Sequence, residues 1–266
     1  MKITFIGGGN MGEAILAAVL DNKIADKADV SVSDISQPRL DYLNERYGVT
    51  VTSENRGAVK GKDIIVLAVK PQTLPEILTE LKGSLEANSL VLSIMAGIRI
   101  GAIRNGLGHN RIVRSMPNTP AQIGLGVTGW TATSEVSDEQ KGQACRILSV
   151  MGKEIYFNRE DSLDMVTAVS ASGPAYVFLF AECLVDAAVT IGLSPEEAEE
   201  LVFQTILGSA KLMQQSEKPP AELRRNVTSK GGTTERALQV FENGQFHKLV
   251  GEAVKAAYKR AQELGN

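Results

Sequence analysis

The sequence predicts an α/β protein in two parts. An N-terminal doubly wound parallel sheet covers residues 1–157, and an all-helical C-terminal dimerisation domain covers residues 158–266. Three observations predict it. Short β-branched runs alternate with helical patterns through the first half, as in a doubly wound sheet. A glycine-rich turn follows the first run. Beyond Glu154-Ile155-Tyr156-Phe157 nothing reads as a strand.

Taken in order, Ile3-Thr4-Phe5-Ile6 reads as a strand and Asn10 to Leu20 as the helix after it. Val30-Ser31-Val32-Ser33 is a second strand, followed by a helix carrying Leu40, Leu43 and Tyr47. Ile64 to Val69 is apolar throughout, as expected of a parallel strand covered on both faces. Leu90 to Ile94 and Ile112-Val113-Arg114 read as further strands. In the second half, Ser194-Pro195-Glu196-Glu197 starts a helix with a hydroxyl cap, Pro at the first position and acids in the first turn. Ser216 to Pro220 and Gly231-Gly232 break the helical pattern. From Ala175 to Val189 the only charges are Glu182 and Asp186, which share one face with Thr190. A helix apolar nearly all round must be buried on most sides. A lone domain of about 110 residues can hardly do that, so a homodimer built on this helix is the economical reading. The alternative is a central helix inside a monomer.

Composition excludes several classes. The 28 Lys and Arg against 31 Asp and Glu leave a net charge of −3, without the basic footprint of a nucleic-acid partner. With 43% apolar and 22% charged residues the chain has the balance of a soluble globular protein. Cys145 and Cys183 lie among apolar neighbours and read as two reduced, buried thiols. No Cys/His cluster has metal-ligand spacing, so no metal is expected. The N-terminus has no leader pattern, and the charge-free stretch Met165 to Ala181 is broken by Ser170, Ser172, Gly173 and Pro174. A cytoplasmic protein with no membrane segment is expected. His109 and His247 read as solvated loop residues.

Gly7-Gly8-Gly9-Asn10-Met11-Gly12, directly behind Ile6, is a G-x-G-x-x-G at a strand end and helix start. Gly7 permits the tight turn, Gly9 the approach of a pyrophosphate, and Gly12 close packing of helix on strand. The helix N-terminus supplies N–H groups and positive dipole to the phosphates. This is the context of a Rossmann-type dinucleotide site. Asp34, 22 residues after Gly12, ends the second strand. A carboxylate there accepts the ribose hydroxyls of NAD and repels the extra phosphate of NADP. Ser33, Ser36 and Arg39 lie close enough in sequence to offer that phosphate partners. Either NADP(H) or NAD(H) is therefore compatible with the sequence.

These residues, together with five further motifs, resemble the pyrroline-5-carboxylate reductase family, from the first strand to the final helix. The most specific is Val227-Thr228-Ser229-Lys230-Gly231-Gly232-Thr233-Thr234-Glu235-Arg236-Ala237-Leu238. Supporting it are Ala68-Val69-Lys70-Pro71, Ser93-Ile94-Met95-Ala96-Gly97, Met116-Pro117-Asn118-Thr119-Pro120 and Ser170-Ala171-Ser172-Gly173-Pro174-Ala175-Tyr176. Two departures are Lys230, where the signature usually has Pro, and the acid Asp34. The resemblance implies that Asn55 contacts the adenosine ribose region. It implies that Ala68, Val69, Lys70 and Pro71, with Ile94, Met95 and Ala96, line the channel to the nicotinamide. Asn226 would touch the cofactor from the helical domain, and Glu160, Glu217, Ser229, Thr233 and Thr234 would surround the proline ring. It also implies dimers with intertwined helical domains, assembled into larger rings such as a decamer.

The signature makes chemical sense by itself. Gly231-Gly232-Thr233-Thr234 leads into a helix whose free N–H groups suit the carboxylate of a small amino acid. A cyclic imine becomes a good electrophile once protonated, so the protein mainly supplies positioning, water exclusion and a modest donor at nitrogen. Thr234 is the candidate catalytic donor, and Glu217 and Glu160 are candidates to hold the ring cation. Two other readings are a reductase resembling β-hydroxyacid dehydrogenases and a catalytically silent nucleotide sensor. The first needs a lysine on the apolar face of the long helix, which has none.

Overall fold

The computed structural model describes residues 1–265. Its strands are β1 (Ile3–Ile6), β2 (Val30–Ser33), β3 (Thr50–Thr52), β4 (Ile64–Leu67), β5 (Leu90–Ser93), β6 (Ile112–Met116), β7 (Gly126–Ala132) and β8 (Gly152–Tyr156). Between them run α1 (Asn10–Asp21), α2 (Gln37–Tyr47), α3 (Asn55–Val59), α4 (Leu74–Leu81), α5 (Ile100–Leu107) and α6 (Asp138–Ser149). After β8 the described residues are helical: α7 (Ser162–Val166), α8 (Gly173–Thr190), α9 (Pro195–Gln215), α10 (Pro220–Asn226), α11 (Thr233–Asn243) and α12 (Phe246–Leu264).

Among the described residues the strands form one sheet in the order β3-β2-β1-β4-β5-β6-β7-β8. Strands β1, β2, β4 and β5 are buried at every position, because helices cover both faces. One layer packs Ile15, Leu16 and Val19 of α1, Leu43 of α2 and Ile147 of α6 against the sheet. The other packs Val59 of α3, Leu74 and Leu81 of α4, and Ile103 of α5. The doubly wound expectation holds, with one departure: β7 runs antiparallel to β6. The link between them is a loop with one 3-10 segment, Thr119–Ile123, and a parallel return needs a longer crossover. Strands β3 and β7 carry no clear sequence signal. The first is three residues long, and the second includes Gly126 and Gly129. A Cβ at Gly129 would lie 2.8 Å from the Val166 side chain, so that glycine admits α7 to the sheet.

The chain forms two compact units, residues 1–172 with the segment from Ala257 onward, and Gly173–Ala256. The boundary expected at 157/158 marks the last strand, but the first unit continues because charges fasten its next segment to the sheet. Arg114 on β6, only 1% exposed, pairs with Glu160 at 2.9 Å and Asp164 at 3.6 Å. Arg99 adds Asp161 at 2.6 Å and Asp164 at 2.8 Å.

The expected interruption at Ser170–Pro174 is a wider turn inside a continuous helical stretch. Residues Thr167–Ala171 are π-helical, and Ser172 donates its N–H to the Thr167 carbonyl at 2.9 Å. Pro174 has no N–H for the Ser170 carbonyl one turn back. The Asn118 amide reaches that oxygen instead, at 3.4 Å, and the Ser170 hydroxyl at 3.3 Å.

In the second unit α8 is the apolar helix expected, yet within one copy only Ala181 is buried on it. Val177, Phe178, Leu179 and Phe180 are exposed. The same circumstance exposes Cys183, against the expectation of a buried thiol, and Cys145 is half-buried. Both are free. Phe241 links to Phe246 with rings 5.4 Å apart, and Phe246 to Phe180 at 6.4 Å. Ser194 caps α9 as expected and shares a capping box with Glu197.

Candidate active site

In an open α/β sheet, ligands bind beyond the carboxyl ends of the strands, where the strand order reverses. Here the order reverses between β1 and β4. Ile6 and Gly7 end β1, Ala68 to Pro71 follow β4, and Ile94 to Ala96 follow β5. Backbone bonds hold these ends together: Ala68 N–H to the Ile6 carbonyl at 2.8 Å, Ile94 N–H to the Leu67 carbonyl at 3.2 Å, and Gly7 N–H to the Ser33 carbonyl at 2.8 Å.

The turn itself fits a dinucleotide phosphate cradle. Gly7 has φ +100°, and a Cβ there would lie 2.7 Å from the Ala68 carbonyl oxygen. A Cβ on Gly12 would stand 2.6 Å from the Gly7 carbonyl oxygen, so α1 sits against the strand end only because that residue is glycine. Gly9 faces open space, with nothing within 4 Å of where its Cβ would be. As N-cap of α1 it offers no side chain, so the first-turn N–H groups of Asn10, Met11 and Gly12 point outward without an intrahelical partner.

Side chains lock the turn from outside. Asp34 accepts from the Gly8 N–H at 2.7 Å and from the Ser36 N–H at 2.9 Å. Arg39 donates to the Gly8 carbonyl at 2.5 Å and pairs with Glu13. Its guanidinium also lies 5.0 Å from the centre of the Tyr42 ring. Glu13 accepts from Tyr47 at 2.8 Å and Tyr42 at 3.1 Å. Burial acts against the ionised form of Glu13, but the hydrogen bonds from Tyr47, Arg39 and Tyr42 outweigh it and lower its pKa. Glu13, Tyr42 and Tyr47 carry no motif signal and were not legible as parts of this site. Neither was Ile35, 90% exposed beside Asp34, although a lone apolar residue in the polar run Ser33-Asp34-Ile35-Ser36 is the kind of signal that marks one.

Two predicted residues are placed differently. Asn55 is buried, accepts from the Ser33 hydroxyl at 2.7 Å and donates to Glu80 at 2.7 Å. Its side chain braces the end of β2 instead of presenting itself to a ribose. Glu160 takes the Ile100 N–H at 2.7 Å, capping α5, while pairing with Arg114. Both bonds fall on Oε1, which anchors the carboxylate in the first unit and leaves Oε2 with acceptor capacity. His109, expected in solvent, is 9% exposed and hydrogen-bonds to the Ser89 carbonyl at 2.7 Å. A carbonyl only accepts, so Nε2 carries the proton. His247 is exposed, as expected, but lies in the first turn of α12 and not in a loop.

The second unit contains Glu217, Asn226, Ser229, Lys230, Gly231, Gly232, Thr233 and Thr234. Gly231 turns the chain with φ +76°, and its N–H donates to Glu235 at 2.8 Å. Gly232 is the N-cap of α11 and carries no capping side chain. The N–H groups of Thr233, Thr234 and Glu235 therefore lack intrahelical partners, and the Thr234 side chain is half-buried beside them. These N–H groups and two hydroxyls are donors of the kind an anion needs. Glu217, Asn226, Ser229 and Lys230 are exposed. A groove of about 960 Å³ along α9, lined by Leu193, Leu201, Phe203 and Leu207 among others, takes in none of these residues. Among the described residues no His/Cys/Asp/Glu group could hold a metal ion.

Comparison with known proteins agrees with both halves. A family model described as NADP oxidoreductase coenzyme F420-dependent matches residues 2–97, and one described as pyrroline-5-carboxylate reductase dimerisation matches residues 160–264. A pyrroline-5-carboxylate reductase from Synechocystis is 41% identical, covering 100% of this chain and 98% of that one. The solved structure of the reductase from Coxiella burnetii superposes with a TM-score of 0.93 at 41% identity, covering 100% of this chain and 98% of the other. That from Plasmodium falciparum, solved with NADP bound, gives 0.90 at 33% identity with the same coverage. With relatives this similar along its whole length, the chain belongs to the pyrroline-5-carboxylate reductase family.

Proposed function

We propose that the protein reduces the C=N bond of Δ1-pyrroline-5-carboxylate to L-proline with NAD(P)H, the last step of proline biosynthesis. The observation that carries this reading is the uncapped helix start Gly232-Thr233-Thr234 in a chain that is similar to these reductases from end to end.

When bound, the dinucleotide supplies a hydride to the imine carbon. The residues of the chain do the rest. Gly7, Gly9 and Gly12, with the free N–H groups of α1, hold the phosphates. Ala68 to Pro71 and Ile94 to Ala96 shape the nicotinamide end. The N–H groups of α11 with Thr233 take the substrate carboxylate, and Ser229 and Glu217 flank the ring. The ring nitrogen of the reactive iminium is already protonated and has no lone pair; as hydride reaches the carbon, the C=N π pair becomes a nitrogen lone pair, and the Thr234 hydroxyl donates a hydrogen bond to it. Asn55 braces the end of β2, and Glu160, anchored through Oε1, also serves the fold. Asn226 contacts the cofactor, and Lys230 reaches a phosphate or the substrate carboxylate or faces solvent.

The protein is a homo-oligomer, and we assign the dimer as its unit, with closed rings up to a decamer as the larger form. A second copy covers the apolar faces of α8 and α9 without a membrane or nucleic acid. Two free thiols suit a reducing cytoplasm.

The test is direct. Purified protein given pyrroline-5-carboxylate and either nicotinamide should oxidise the cofactor, and no oxidation with either would overturn the reading. Thr234→Ala should lower kcat by about 10-fold or more. An unchanged kcat would leave the α11 N–H groups as the important part.

A further inference from the structure

Sequence alone leaves the choice between the two nicotinamide dinucleotides open, because Asp34 argues for one and Ser33, Ser36 and Arg39 for the other. The structure assigns it: we propose that Asp34 makes this chain select the dinucleotide without a 2′-phosphate. This rests on the function proposed above.

Selection occurs where the adenosine ribose meets the end of the second strand. The charged and backbone groups that would neutralise a phosphate there are already committed, and the exposed Ser36 hydroxyl, which makes no capping bond, brings no charge. The Ser33 hydroxyl is buried and donates to Asn55 at 2.7 Å. The Ser36 N–H donates to Asp34 at 2.9 Å. Arg39 is held on three sides, by the Gly8 carbonyl, by Glu13 and by the Tyr42 ring. Its charge is matched by Glu13. Releasing it toward a phosphate would leave the Glu13 carboxylate, 19% exposed, with only the more distant Arg46 at 3.9 Å as a cation.

Asp34 is committed differently. It is drawn onto the glycine turn by the Gly8 N–H, so its carboxylate stands beside the pyrophosphate cradle. Each carboxylate oxygen has lone pairs beyond the one bond described, and acceptors are what a ribose diol needs. A phosphate ester at the 2′ position instead brings about two negative charges to a fixed one. Exposed Ile35 beside it adds apolar surface for a base. The site is thus finished for a diol and unfinished for a phosphate.

Binding measured calorimetrically, without substrate, separates this proposal from the reaction. The wild-type protein should bind NADH at least about 10-fold more tightly than NADPH. Asp34→Asn keeps an acceptor for Gly8 and removes the charge, so it should bring the two affinities to within about 3-fold, chiefly by tightening NADPH. Asp34→Ser with unchanged thermal stability should do the same. Equal or tighter binding of NADPH by the wild type would overturn the assignment while leaving the reductase reading intact. So would an Asp34→Asn ratio unchanged from wild type. Binding of neither dinucleotide would overturn both.

Discussion

His109 shows how much one residue's surroundings can reverse its role. The sequence Gly106-Leu107-Gly108-His109-Asn110 looks like a solvated turn, yet the ring is enclosed beside Ser89. Burial depresses its pKa below 6.5, the Arg111 charge adds to that, and the bond to the Ser89 carbonyl only partly offsets them. The folded protein therefore prefers the neutral ring more than the unfolded chain does. Its contribution to stability is complete above the unfolded pKa of about 6.5 and is lost as the pH falls below it. Thermal melts from pH 7.5 to 5.5 should show a steeper loss of Tm for wild type than for His109→Gln. Parallel curves would mean the ring carries no linkage. Residue identity also left a structural role of Glu160 unread. Its neighbour in sequence gave no hint of Arg114, 46 positions away, which claims its carboxylate.

Elements were legible to the degree that their signal is local. Strands β1 and β2 have the bounds that their β-branched runs predict, and the buried hydroxyls among them are satisfied locally in the sheet, Ser31 with Thr4 at 2.9 Å and Ser33 with Asn55 at 2.7 Å. The start of α9 was equally plain, because a cap is written in adjacent residues. The Ser194 hydroxyl accepts from the Glu197 N–H at 3.3 Å, and Glu197 returns a bond to the Ser194 N–H at 2.9 Å. Ser194→Ala should destabilise the protein by about 1 kcal/mol, seen as a lower denaturation midpoint at fixed protein concentration. Ser194→Asp should recover most of it. The π turn was not legible. Ser170, Ser172, Gly173 and Pro174 look like a break in any local reading, and the chain stays helical because Asn118, distant in sequence, reaches the carbonyl that Pro174 cannot bond.

At the scale of the whole molecule the governing fact is exposed apolar surface. Helical residues Ser162–Thr190 are long and apolar enough to cross a membrane by length and composition alone. The same residues fall within the family's dimerisation region, which gives the surface a second copy to bury against. Phe178 is 64% exposed within one copy, and burying such a side chain is worth roughly 1.5–3 kcal/mol per subunit. Phe178→Glu should shift the protein toward monomer in analytical ultracentrifugation and lower its Tm. A variant that sediments like wild type would place the shared interface elsewhere on the second unit.

By itself the sequence determined the alternation of strands and helices, the glycine turn at the strand end, the absence of strands after β8 and the signature before α11. All of these depend on neighbours within about a dozen residues. Only the tertiary structure decided the antiparallel β7, the extension of the first unit to Ser172, and which side chains near the glycine turn are free to meet a ligand. Those outcomes depend on pairings such as Asp34 with Gly8, Arg39 with Glu13 and Arg114 with Glu160. A carboxylate's role is set by which donor reaches it first, and the donor is chosen by the fold.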